Sequence, residues 1–171
     1  LGSDSLHSNS SGSNNVAVGR DALYFNGVSN YNTAVGNGAL RSNSGTNASY
    51  NSAFGYLALY SNNGTNANAN SAFGHQALYA NTTGAGNSAF GYQALYANSS
   101  GIDNNAFGYN SLASNTTGFY NQAIGNSSLY SNISGSNNIA IGDSTLYLAQ
   151  SGASNIDRKS TRLNSSHRCI S

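Results

Sequence analysis

The chain has no proline, methionine or tryptophan, no glutamate, and one cysteine, Cys169, in 171 residues. A lone cysteine forms no intramolecular disulfide, and the first 156 residues carry no thiol at all. No apolar run is long enough to span a bilayer, so this segment is not expected to insert into a membrane. Charged residues make up only 6% of the chain. The formal charge of +1 is uneven: Arg158, Lys159, Arg162 and Arg168 face only Asp157 in residues 157–171. Residues 1–156 set Arg20 and Arg41 against Asp4, Asp21, Asp103 and Asp143. That stretch has no basic patch, so nucleic acid is not expected as a partner. Low charge with little Leu or Ile resembles a disordered composition. The pattern of what is present overrides that resemblance.

A phrase typified by Asn87-Ser88-Ala89-Phe90-Gly91-Tyr92-Gln93-Ala94-Leu95-Tyr96-Ala97-Asn98 recurs along the chain. Its glycine stands at Gly2, Gly19, Gly36, Gly55, Gly74, Gly91, Gly108, Gly125 and Gly142, with gaps of 17 or 19 residues. A fixed period of this length marks a stacked repeat architecture, because disordered segments have no reason to keep register. Positions below are counted from this glycine. Leu1-Gly2 sits in mid-repeat, so the chain is expected to be a piece of a longer protein.

Position −4 is Asn15, Asn32, Asn51, Asn70, Asn87, Asn104, Asn121 and Asn138, the pattern of a structural ladder in which each amide bonds to the Asn one rung away. Position +4 is Leu6, Leu23, Leu40, Leu59, Leu78, Leu95, Leu112, Leu129 and Leu146, a core column. Position +5 is mostly tyrosine, at Tyr24, Tyr60, Tyr79, Tyr96, Tyr130 and Tyr147, with His7, Arg41 and Ala113 as exceptions. Position +7 is Asn in every unit but the last, where Ala149 stands. Alternation in Asn-x-Ala-Phe-Gly puts Ala on one face and the Val, Phe or Ile of position −1 on the other. Stacking is expected to bury a column of Leu together with that of Phe, Val and Ile. The two 19-residue units carry their extra residues in 44–50 and 63–69, as loop insertions. The segment after the glycine reads either as a second strand or as a short helical turn. Its tyrosines and the neighbouring strand favour the strand, while its Ala, Leu and Gln favour the helix.

The predicted fold class is all-β: a repetitive β-solenoid of about nine turns. Catalysis needs convergent titratable groups, and none recur in register. Asp21 and Asp143 are seven repeats apart, and His7 and His75 stand alone at tyrosine positions. No catalytic residue, metal ligand or cofactor is therefore expected. The tyrosine column packs between rungs or between chains, or offers carbohydrate a flat apolar face with a polar edge.

The motif Asn-Ser-Ala-Phe-Gly-x-x-Ala resembles the repeats in head domains of trimeric autotransporter adhesins, and the longer unit is similar to repeats of phage-type tail-fibre proteins. The resemblance covers residues 1–156. It implies a left-handed parallel β-roll, a homotrimer, and an extracellular place on a cell surface or a phage virion. It implies a structural shaft or head segment acting in attachment, to host-surface carbohydrate or a matrix protein. An ice-binding β-solenoid is the alternative, motivated by ladders of Asn, Thr and Ser. Position −3, however, reads Val16, Thr33, Ser52, Ser71, Ser88, Asn105, Gln122 and Ile139, which is not a regular Thr array.

After Ile156 the register calls for Ala, an apolar residue and Gly, but the chain supplies Asp157, Arg158 and Lys159. Residues 157–171 also resemble a translated short-read sequencing adapter. They are expected to be a non-native, disordered tail following a solenoid domain over 1–156.

Leu95→Asn is expected to destabilise by several kcal/mol, since truncating a buried Leu costs about 2–5 kcal/mol and an added polar group costs more. Tyr92→Asn, at a position that also accepts Arg20, Asn37, His75 and Asp143, is expected to cost about 0.5 kcal/mol or less. Denaturant unfolding of both variants checks this; equal losses would reverse the inside and outside of the coil.

Overall fold

Each repeat contributes one three-residue strand, in the first eight centred on the alanine two residues before the glycine and in the ninth on Asp157. In the computed structural model, which describes residues 2–159, the strands are β1 (Val16–Val18), β2 (Thr33–Val35), β3 (Ser52–Phe54), β4 (Ser71–Phe73), β5 (Ser88–Phe90), β6 (Asn105–Phe107), β7 (Gln122–Ile124), β8 (Ile139–Ile141) and β9 (Ile156–Arg158). They form one nine-stranded parallel sheet in sequence order. Every pairing is in register with the repeat, so that Ala72 lies on Ala89 and Phe73 on Phe90. The architecture is an all-β solenoid of about eight turns, and no helix occurs among the described residues. The segment after the glycine is therefore not the helical turn that its Ala, Leu and Gln suggested.

Nor is it a second strand. It is a turn with left-handed residues at positions +2 and +4: Gln93 has φ 51° and Leu95 φ 52°. The Leu95 N–H donates to the Ser111 carbonyl of the following rung (3.0 Å), and the Gln93 N–H to the His75 carbonyl of the preceding one (3.0 Å). The backbone thus bonds up and down the coil without extended geometry. Left-handed Leu costs about 1–2 kcal/mol per residue, and such conformations persist only where the surroundings over-determine them. Here seven consecutive leucines, Leu23 to Leu129, are wholly buried. The position-zero glycines are needed for a related reason. Gly91 has φ 142°, and a Cβ there would collide with the carbonyl oxygen of Gly108 one rung on.

The interior consists of alanine from the strands, alanine or a hydroxyl residue at +3, leucine at +4 and two files of asparagine. The buried hydroxyls of Ser111, Ser128 and Thr145 donate to the glycine carbonyl three residues back (3.2, 3.1 and 2.8 Å). The Phe, Val and Ile of position −1, expected to join the buried column, lie on the outer side of the sheet. Val18, Phe107, Ile124 and Ile141 are about 40% exposed, whereas the alanines between the outward positions are buried. A three-residue strand turns only its middle side chain inward, and the thin interior there takes alanine.

Two asparagine files run along the coil, the +7 file as far as Asn132. At −4, the backbone N–H of each Asn donates to the side-chain oxygen of the Asn one rung earlier, as from Asn104 to Asn87 Oδ1 (3.0 Å) and from Asn121 to Asn104 Oδ1 (3.0 Å). At +7, each Nδ2 donates to the preceding Oδ1, as from Asn98 to Asn81 (2.9 Å) and from Asn115 to Asn98 (2.8 Å). The two files meet on one carbonyl in each turn: Gly101 O accepts from Asn87 Nδ2 (2.8 Å) and Asn98 Nδ2 (3.0 Å). In the 19-residue units the same clamp closes on Ala48 and Ala67, five residues after Asn43 and Asn62 rather than three. The extra residues lengthen the loop and leave the clamp in place.

The expected boundary after Ile156 falls inside β9, where Asp157 pairs with Ala140 and Arg158 with Ile141. No rung among the described residues lies beyond, so Asp157 remains half-exposed. Its Oδ2 accepts from the Leu146 N–H (3.3 Å), a donor that in earlier rungs bonds the following rung's carbonyl. The rest of the expected tail, 160–171, lies outside the described residues.

The +7 file stops where Ala149 replaces asparagine, and Asn132 Oδ1 is left buried without a partner. An unsatisfied buried acceptor costs about 1–3 kcal/mol. Ala149→Asn is therefore expected to raise stability by about 1 kcal/mol, read as a higher denaturant midpoint with an unchanged slope.

Candidate functional site

The in-register pairing that stacks amides inside also stacks rings outside. Position −1 gives the column Phe54, Phe73, Phe90, Phe107, with centroids 4.7, 4.7 and 4.9 Å apart. Position +1 gives Tyr56, His75, Tyr92, Tyr109, at 5.1, 5.0 and 5.0 Å. His75 is thus a ring in a stack, and among the described residues no three His, Cys, Asp or Glu side chains converge as a metal site. Tyr31 and Tyr50 add a further pair at 5.1 Å over the 19-residue loops. Beside them lies a groove of about 330 Å³ lined by Asn30, Asn47, Asn66 and Asn68.

The +5 column is the most varied. Tyr60, Tyr79 and Tyr96 stack at 5.3 and 5.2 Å, and Tyr130 and Tyr147 at 5.1 Å. His7 lies flat on Tyr24 (4.6 Å, planes 3° apart). Arg41 fills its own rung with a guanidinium 5.0 Å from the Tyr24 ring and 5.8 Å from the Tyr60 ring, a cation–π sandwich. Ala113 provides no flat group, and the column is open between Tyr96 and Tyr130. The opening is a groove of about 480 Å³.

The −4 asparagines and the +4 leucines lie together in the interior, and the six tyrosines of position +5 lie along one outer edge. The Phe ladder lies on the surface rather than in the expected buried column, and its alternation with an Ala that recurs in eight of the nine strands is the sequence signal for that. The Tyr31–Tyr50 pair carried none beyond adjacency to the longer loops. Comparison of the chain with known protein families, characterised proteins and solved structures finds no match.

Burial in the stack raises the Tyr79 hydroxyl above its usual pKa of 10.0, and its tyrosine neighbours Tyr60, Tyr96 and Tyr56 add to the shift. A group whose folded pKa is raised stabilises fully below its unfolded value and loses that contribution as pH climbs through the folded one. Stability is expected to be insensitive to this group below about pH 10 and to fall above it. Tyrosinate absorbance followed alongside urea midpoints checks this, and Tyr79→Phe is expected to flatten the alkaline limb.

Proposed function

We propose that the chain is a structural repeat segment of an extracellular fibrous protein, a surface adhesin head or shaft or a phage-type tail fibre, and that it acts in attachment. The observation that carries this reading is the division of labour between inside and outside. The interior recurs rung by rung and holds the coil together. The outside presents long columns of uncharged aromatic rings at a spacing near 5 Å. Rigid rings with polar edges are well suited to making contact at low entropic cost. Eight inter-strand steps at about 4.8 Å make a segment roughly 40 Å long, a spacer that lengthens with every added repeat.

Among sequence-derived alternatives, the irregular −3 column weighs against ice binding, since outward Val16, Gln122 and Ile139 interrupt any flat hydroxyl array.

The full chain, fluorescently labelled, is expected to be retained saturably on mucin- or matrix-coated surfaces and displaced by unlabelled chain. Absence of saturable retention on all such surfaces would overturn the attachment reading. Inhibition of ice recrystallisation at micromolar chain would replace it.

A further inference from the structure

We propose that the opening at Ala113 is a binding slot for one neutral pyranose ring, held between the facing rings of Tyr96 and Tyr130. The proposal rests on the attachment reading for its purpose, but it concerns one site and has its own test.

Three observations converge. First, spacing: adjacent rings of this column stand 5.1–5.3 Å apart, so two rings separated by one vacant rung stand about 10 Å apart. One further ring at the column's own spacing fits between them. The centroids of the column's tyrosines stand wider than the ~3.5 Å of plane-to-plane contact, so the slot also takes a ring thicker than a planar one. A saturated chair is thicker and presents C–H groups to both tyrosine faces. Second, every other rung from His7 to Tyr147 fills this column with a flat or cationic group, and only Ala113 leaves it open.

Third, the slot is lined by Asn110, whose amide oxygen has no hydrogen-bond partner. Gln93 Nε2 donates to Gln76 Oε1 (2.9 Å) at position +2, but Asn110 is one methylene shorter and does not extend that ladder. Its Oδ1 has no partner, and the half-buried Asn110 side chain is among the residues lining the groove. A turn of this side chain toward the groove would let the unpaired amide oxygen accept from a ligand that brings a hydroxyl or amide N–H. Ser114 and Thr116 add hydroxyls at the rim, and the Thr116 hydroxyl already donates to the Ile133 carbonyl (3.0 Å), leaving its lone pairs to accept. No charged side chain lines the groove. The chemistry is that of a neutral sugar residue: apolar faces for the tyrosines and polar edges for the asparagine and hydroxyls.

The test is saturation-transfer NMR on the full chain with the methyl glycosides of glucose, galactose and N-acetylglucosamine, and phenol as a flat aromatic probe. At least one glycoside is expected to receive saturation chiefly at its ring C–H protons. Ala113→Tyr, which completes the column with the residue used in six other rungs, is expected to remain folded by circular dichroism and to weaken binding at least tenfold. Asn110→Leu, a residue the fold already accepts at this position as Leu57, is expected to weaken it several-fold. No transfer to any glycoside, transfer to phenol alone, or undiminished transfer in folded Ala113→Tyr would each overturn the proposal. Surface retention of the labelled chain is a separate readout. A chain that adheres equally well with Ala113→Tyr keeps the attachment reading and loses this site, whereas a chain that binds glycoside but adheres to nothing does the opposite.

Discussion

Everything in this molecule depends on the requirement that a buried amide must find its partners. Fourteen buried asparagines would be ruinous in an apolar interior, since unmet polar groups at about 1–3 kcal/mol each would together exceed the whole fold's stability. The solution is self-reference: the partner of each Asn is the same Asn one turn away. This works only if each rung repeats its predecessor's register, and that condition fixes the parallel pairing, the glycine corner and the left-handed turn. It also explains where length can vary. The two longer units add residues before Ala48 and Ala67, outside the amide files, so that the clamp on each carbonyl closes as in the shorter units.

The same register determines the surface. A side chain pointing outward lies directly over its equivalent, so a surface column has one chemistry by default and becomes a ladder of rings wherever that residue is aromatic. Individual sites in such a protein arise by departure from the repeat. Arg41 departs and is absorbed, because a guanidinium is flat enough to stack. Ala113 departs and is not, because a methyl group leaves a ring's width unoccupied.

Much of this was legible in the amino-acid order. The period, the leucine file and the −4 asparagines are visible as columns once the glycines are aligned, and stacking follows from unit length alone. Three things were harder to read. The Phe, Val and Ile of position −1 look like core because they are large and apolar, yet a strand with a single inward residue gives that place to alanine. Leu at φ near 50° runs against the ordinary preference of the residue; the hint lay in the +2 column, where Asp21, Gly38 and Asn110 favour left-handed backbone. At the end of the coil, charge at Asp157 argued against a further rung, but a last turn is solvated on one side and the carboxylate stands in for a missing carbonyl.

The direction of the hydrogen bonds has a mechanical corollary. They run along the coil from turn to turn, so tension applied between the two ends of the chain pulls on them in line. Force would not shear the sheet as a block but peel it from an end, one turn at a time. Each detached turn of 17 residues would release about 55–60 Å of extended chain and each turn of 19 about 65 Å. Under load, such a segment behaves as a ratchet of near-equal extensible links, yielding in steps while the turns that remain keep their surface intact.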